Sequence, residues 1–202
     1  YAVRGTLLLL GLALATIGLL TVAHTPPVRA VIAPGEGNAP PAPDDPMFAL
    51  VMERYTGVHL APGNRVEVLL NGNETYHRLY TDLRGAVQSV TMQMYYAKPG
   101  AVADSFRNLL AERARAGVDV RVLLDAFGCA PLDGTDFLSV LRQAGAHVEW
   151  LRPIRWYTLN RATNRSHSRG VVVDGRVGYT GGFGIADYWL GDGVSHEAWR
   201  ES

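Results

Sequence analysis

The chain has almost no cysteine and no net charge. Cys129 is the single cysteine in 202 residues, so no disulfide can form within the chain, and cysteine usage does not read out a compartment. A small residue following a strand accounts for it better than a catalytic thiol. Lysine plus arginine and aspartate plus glutamate each total 19, which removes the general polycation character that a polyanion-binding surface needs. His24, His59, His77 and His147 are scattered without metal-ligand spacing, and no site is assigned to them. The charge that does accumulate is local: Arg152, Arg155, Arg161, Arg165, Arg169 and Arg176 crowd one stretch. Two readings of that stretch stand side by side, a solvated arginine-rich loop and a phosphate-attracting mouth.

Charge is absent altogether from Gly5 to Ala23, a run dominated by leucine and alanine. At about 1.5 Å per residue it is long enough to cross most of a hydrocarbon core of about 30 Å. A transmembrane anchor is expected over residues 1–24. The competing reading is a secretory signal, but the apolar run exceeds the usual h-region and no crisp small-residue cleavage motif follows. Residues 25–46 change to Pro, Ala, Gly and Asn, with Pro26-Pro27, Pro34-Gly35 and Pro40-Pro41 interrupting any helix. Proline restricts φ and removes amide donors, so this segment is read as a partly extended tether. A folded domain is expected over residues 47–202.

Within that domain strands and helices alternate. Short apolar runs predict strands over Arg65–Leu70, Ser89–Tyr96, Val118–Leu124, His147–Leu151, Gly170–Val173 and Arg176–Thr180. Helical spacing of Leu79, Leu83 and Ala86 predicts a helix over Glu74–Val87, and that of Phe106, Leu109, Leu110 and Ala114 another over Val102–Ala116. A third is predicted over Thr135–Ala144, stopping at Gly145. Strands separated by helices indicate an α/β layered domain with a largely parallel sheet.

The densest chemistry lies in His167-Ser168-Arg169, followed by the run Val171 to Val173, Asp174-Gly175 and, after five further residues, Gly181-Gly182. Arg165 stands two residues before the histidine, and Phe183-Gly184-Ile185-Ala186-Asp187 follows the glycine pair. This pattern resembles the H-x-K-x4-D-x6-G-G signature of the phospholipase D superfamily, with arginine where lysine is usual. The string as a whole is similar to the first half of a bacterial cardiolipin synthase. The likeness extends upstream through Asn64 to Gly72, Arg115 to Asp125 and Leu151-Arg152-Pro153, covering roughly residues 48 to 202. It sharpens the fold expectation to an α/β/α sandwich with a mixed sheet.

Residues two apart in an extended strand point to one face, so His167 and Arg169 can project together into a cleft while Ser168 points away. An imidazole can attack a phosphodiester phosphorus to give a phosphohistidine, and a fixed cation beside it stabilises the equatorial oxygens of the transition state. Asp174 has the opposite parity, which suits support of a turn or network within the catalytic motif. Arg165 is a candidate phosphate contact. Gly181 and Gly182 either let backbone approach a phosphate without a Cβ in the way or form a tight turn.

The resemblance carries further expectations. It implies a carboxylate some thirty residues after the histidine as its orienting partner, for which Glu201 in Trp199-Arg200-Glu201 is the candidate, with glutamate in place of the usual aspartate. It implies independence of metals and cofactors. It implies two motifs, one per half, whereas this chain holds one and begins at Tyr1, so either a missing second half or a homodimer is expected to complete the site. Gly184 occupies a place where the family usually has an asparagine. The implied activity is transfer of a phosphatidyl group between phosphatidylglycerol-like membrane lipids at the cell membrane. An inactive phosphate-binding or dimerising module remains the alternative. A phosphodiesterase acting on nucleic acid is disfavoured by the uncharged anchor and the zero net charge.

The anchor reading has a direct consequence. The expressed chain should fractionate with membranes and resist carbonate extraction, and deletion of residues 1–24 should release a soluble domain. Recovery of a soluble chain processed near Ala23 or Ala30 would instead identify a signal peptide.

Overall fold

The computed structural model describes residues 2–23, 41–153, 155–156 and 165–194. Glu201 lies outside the described residues, as do Trp199, Arg200 and Arg161. The chain divides into two compact units, Val22–Glu67 and the combination of Tyr1–Thr21 with Val68–Ser202.

Helix α1 spans Ala2–Ala23, and its 22 residues extend about 33 Å at the α-helical rise. Its window Val3–Leu20 has a mean hydropathy of 2.0 and none of it is buried. By length and composition it is able to cross a membrane, a test that a signal sequence near the N-terminus also passes. The Thr16 hydroxyl donates to the Leu12 carbonyl at 2.8 Å, which satisfies the polar side chain within the helix itself.

In the smaller unit, α2 spans Phe48–Thr56 and stops at Gly57, whose φ of 69° is the left-handed cap and whose N–H donates to Glu53 O at 2.8 Å. The strand expected over Arg65–Leu70 does not form. Val66 and Val68 remain 87% and 72% exposed, and none of the paired strands takes them as a neighbour. Alternating β-branched residues make a strand only where a ladder partner exists, and the five-stranded sheet offers them none.

In the larger unit the order is α3 (Asn71–Gly85), β1 (Ser89–Met94), α4 (Ala101–Arg115), β2 (Asp119–Asp125), α5 (Phe137–Gln143), β3 (His147–Leu151), β4 (Gly170–Val173) and β5 (Val177–Thr180). The sheet is mixed, in the order β3-β2-β1-β4-β5. β1, β2 and β3 are mutually parallel, joined through α4 and α5, while β4 runs antiparallel to β1 and β5 antiparallel to β4. The fold is a mixed α/β architecture.

One core holds it. Val90, Met92 and Met94 on β1 meet Leu79 and Leu83 of α3, Phe106 and Leu110 of α4 and Leu141 of α5, all at 0% exposure. Phe106 takes the rings of Tyr76 and Tyr80 edge-on at 6.4 and 5.4 Å. Burying each such side chain contributes about 1.5–3 kcal/mol. α3 packs on α4 and α4 on α5, so these helices form one layer on one face of the sheet. The other face shows exposed Thr91, Arg121, His147, Glu149 and Val172. An open groove of about 430 Å³ crosses that face, lined by Gln93, Leu123 and their neighbours. Among the described residues, this single layer is the helical cover that the sandwich expected from the sequence receives.

Element ends are set by side chains reaching in from elsewhere. α3 begins earlier than expected, at Asn71 with φ 59°, because the Glu74 carboxylate reaches back to the Leu70 N–H at 2.7 Å. It ends at Gly85 rather than Val87 because Asp174 draws off the next amides. Its carboxylate accepts from Val87 at 3.1 Å, Gln88 at 2.8 Å and Ser89 at 2.9 Å. Asp187 does the same for α4, accepting the N–H groups of Ala101 at 3.0 Å and Val102 at 2.8 Å. A Cβ on Gly100 would meet that carboxylate at 2.5 Å, so a side chain there would displace the cap.

The N–H groups of Ser89, Gln88 and Val87 hold the Asp174 carboxyl below the ordinary aspartate range, and Arg176 adds to the effect. A depressed folded-state pKa means stability that is present above the unfolded value and is lost as pH falls through the folded one. Asp174→Asn keeps a side chain that tolerates the φ of 52° and removes the charge. The variant should unfold at lower urea than wild type at neutral pH, with the gap closing as pH falls below the ordinary aspartate range. A gap that stays constant across that range would show that these three amides do not depend on the carboxylate charge.

Candidate active site at the carboxyl edge of the sheet

The parallel strands end, and the antiparallel β4 begins, at the same edge. Tyr95 follows β1, Asp125 closes β2, Arg152 follows β3, His167 and Arg169 precede β4, and Gly181-Gly182 follow β5. In open α/β sheets, ligands collect outside the carboxyl ends of the strands where the chain changes direction. Here that place lies between β1 and its antiparallel neighbour β4, and residues 165–169 run into it.

His167 is exposed, and its imidazole stacks on the Tyr95 ring with centroids 3.8 Å apart and planes 21° from parallel. Arg169 is half-buried. Its Nη1 donates to the Gly182 carbonyl, and its guanidinium carbon lies 5.7 Å from the centre of the Trp189 ring. Trp189 contacts Tyr96 at 5.3 Å, edge to face, so the two motif residues rest on the adjacent Tyr95 and on the wall that Tyr96 begins. Among the described residues, the buried Arg169 Nε has no hydrogen-bond partner. Such a donor is expensive to leave unmade, and a phosphate oxygen is the acceptor a guanidinium fork fits best. The Thr180 hydroxyl donates to the Arg169 carbonyl at 3.1 Å and fixes the backbone.

Arg165, read from the sequence as a phosphate contact, sits with its side chain 6% exposed, 3.8 Å from Oδ2 of Asp125, itself 1% exposed. It donates to the Arg152 carbonyl at 2.8 Å and lies over the Phe127 ring at 5.8 Å. Gly182 supplies its carbonyl to Arg169. Asp174 lies at the far end of β4, on the amides that follow α3. Glu201 is outside the described residues.

Gly184, where the resemblance leads one to expect asparagine, is buried. A Cβ there would stand 2.5 Å from Cζ3 of Trp189 and 3.0 Å from the Tyr96 carbonyl. The Trp189 indole occupies the volume a side chain at 184 would need. The Gly184 carbonyl accepts the Tyr76 hydroxyl at 2.9 Å, and burial drives that phenol well above its ordinary pKa.

The sheet edge also carries residues that the motif pattern did not single out. Lys98 Nζ lies 5.7 and 5.6 Å from the ring centres of Tyr96 and Tyr188. Cys129 is buried, its thiol donating to Met94 O at 3.4 Å and pushed up to about 12 by burial, which makes it a poor nucleophile. Among the described residues no cluster of metal-ligating side chains occurs. Tyr95 lies inside the strand expected over Ser89–Tyr96, and Asp125 stands one residue past the strand expected over Val118–Leu124.

The packing at Gly184 makes a steric prediction. Gly184→Asn should lower stability by about 1–3 kcal/mol through overpacking. Adding Trp189→Leu should recover most of the loss, read as thermal-unfolding midpoints of the single and double variants. Equal midpoints for wild type and Gly184→Asn would show that Trp189 moves aside freely.

Known proteins bear on this geometry. The family described as "Cardiolipin synthase, PLD-like domain" matches residues 79–188. The major cardiolipin synthase ClsA of Bacillus subtilis is 33% identical over 159 residues, covering 78% of this chain and 32% of that protein. A cardiolipin synthase of Staphylococcus aureus is 31% identical over 144 residues, covering 71% of this chain and 29% of its own length. The chain thus spans about a third of these relatives. Among solved structures, a phospholipase D family member, Nuc from Salmonella typhimurium, aligns with a TM-score of 0.34 at 16% identity, covering 50% of this chain and 58% of that one. Because the family match takes in more than half of the 202 residues, including His167, Arg169, Asp174 and the glycine pair, the chain belongs to the cardiolipin synthase family of phospholipase D-like domains.

Proposed function

We propose that this chain is a membrane-anchored, phospholipase D-like unit of a phosphatidyltransferase of the cardiolipin synthase type. The observation that carries the reading is the pairing, at the carboxyl edge of the sheet, of an exposed imidazole at 167 with a guanidinium at 169 whose buried Nε–H lacks an acceptor among the described residues. An imidazole nitrogen of His167 attacks the phosphorus of a phosphatidylglycerol-like lipid. The P–N bond forms as the P–O bond to the headgroup alcohol breaks, and that oxygen takes up a proton. The hydroxyl of a second lipid, or water, then attacks the phosphorus, breaks the P–N bond and passes its proton to the group that had protonated the leaving oxygen. Arg169 holds the non-bridging oxygens through both steps.

Arginine in place of lysine keeps the positive charge and offers a planar fork instead of a compact ammonium. Its anchoring by the Gly182 carbonyl and the Trp189 ring fixes where that fork points. A second motif, from another copy or from sequence joined to this one, is proposed to provide the proton donor for the leaving alcohol. Glu201 is proposed as the orienting carboxylate for His167. The bilayer is proposed as both location and substrate source, with α1 keeping the site close to lipid.

Rapid quench of the active assembly with labelled phosphatidylglycerol should trap an acid-labile, base-stable adduct on His167. His167→Ala should remove adduct and turnover together. Arg169→Ala should slow adduct formation on the order of 10²- to 10³-fold, whereas Arg169→Lys should retain or raise it. Headgroup binding without any adduct, weakened by Arg169→Ala, would identify a phosphate-binding module instead, and undiminished turnover in His167→Ala would remove the mechanism.

A further inference from the structure

Two features converge on His167 from outside the sequence motif. The first is a buried carboxylate. Asp125 ends β2 with its side chain 1% exposed, and its Oδ1 accepts the N–H groups of Phe127 at 2.9 Å and Gly128 at 3.1 Å. Its other oxygen faces Arg165 at 3.8 Å and has no hydrogen bond among the described residues. Arg165 also donates to the carbonyl of Arg152, beyond the end of β3, and covers the Phe127 ring. One guanidinium therefore ties the backbone two residues before His167 to the ends of both β2 and β3. A cation this deeply enclosed is poorly placed to meet a lipid phosphate and well placed to fasten a strand.

The second feature is the ring under the imidazole. The turn that Asp125 shapes brings Gly128 against β1 so closely that a Cβ on Gly128 would stand 1.8 Å from the Tyr95 carbonyl and 3.3 Å from its ring. The Ala97 N–H donates to the Gly128 carbonyl at 3.3 Å and fixes the same approach. Tyr95 is thereby pinned with its ring beneath the imidazole at 3.8 Å. A nucleophile needs its lone pair aimed at phosphorus, and stacking on a pinned ring restricts the imidazole plane while leaving both ring nitrogens at its edge.

We infer that Tyr95 and Asp125 are positioning residues for His167: Tyr95 holds the imidazole plane by stacking, and Asp125 holds both Tyr95, through the Gly128 turn, and the His167 segment, through Arg165. The assignment deepens the proposed nucleophilic role of His167 and rests on it, and it moves Arg165 from phosphate contact to fastening.

The test uses the full chain in detergent micelles and reads the carbon-bound imidazole protons of His167 by NMR, with His147 on β3 as an internal control. Ring-current shielding by Tyr95 should place the His167 signals upfield of a free histidine. Tyr95→Phe should preserve that position, because the ring remains, and Tyr95→Leu should return the signals toward the free value while His147 stays put. Asp125→Asn retains an amide oxygen for the two N–H groups but loses the charge facing Arg165, and should broaden or shift the His167 signals alone. Adduct formation should fall on the order of 10²-fold in Tyr95→Leu, as expected for a nucleophile misplaced by about 1 Å, and be restored in Tyr95→Phe. Unchanged His167 signals in Tyr95→Leu, or a Tyr95→Phe variant as slow as Tyr95→Leu, would overturn the inference. The NMR arm reads out even if no adduct ever forms, so failure of the nucleophilic role and failure of the positioning role are seen separately.

Discussion

The reversal of chain direction beside β1 organises this molecule. β1 is parallel to β2 on one side and antiparallel to β4 on the other, so the strand ends of one half of the sheet face the strand beginning of the other half. α4 and α5 carry the parallel connections and share one layer with α3, so at that edge the chain passes from strand to helix in one half of the sheet and enters β4 in the other. The residues entering β4 must therefore cross it, and these are His167 and Arg169. A sheet with β4 parallel would have carried them to the opposite end, away from Tyr95, Asp125 and the glycine pair.

Around that edge the side chains are interdependent, and Trp189 is where the dependence is densest. Its indole fills the space a side chain at 184 would take, offers its face to Arg169 and meets Tyr96, while its carbonyl lies where a Cβ on Gly72 would be, 1.9 Å away. Departures from the usual motif, arginine at 169 and glycine at 184, thus touch a common residue. A longer planar cation needs a surface to lie on, and a large indole needs a residue without a Cβ beside it. The two departures are a single packing solution rather than two independent losses.

Much of the larger unit was legible because its elements carry their own periodicity. Val90, Met92 and Met94 alternate on β1, Phe106 and Leu110 recur at helical spacing on α4, and β3 and β4 have the ends that their apolar runs suggest. Arg65–Leu70 was misread because its pattern is that of a strand, and pattern says nothing about whether an edge is available. Element ends were off by a few residues where a distant carboxylate acts, as Asp174 does at Val87 and Asp187 at Ala101. The motif announced the site through His167, Arg169 and the paired glycines, since their spacing is local. Tyr95 and Asp125 lie 72 and 42 residues upstream of His167 in sequence, and their relation to it exists only once the sheet has formed. A buried carboxylate and a stacked ring leave no trace in spacing.

The first helix of the larger unit's sheet domain starts beside its last described segment. The Asn71 side chain donates to the Asp192 carbonyl at 2.9 Å, the Asn73 N–H donates to the Gly191 carbonyl at 2.9 Å, and Gly193 abuts the Asn71 amide closely enough that a Cβ would stand 2.6 Å from it. The start of α3 and residues 191–193 are thus stitched together across 121 residues of sequence, so loosening either segment exposes the other.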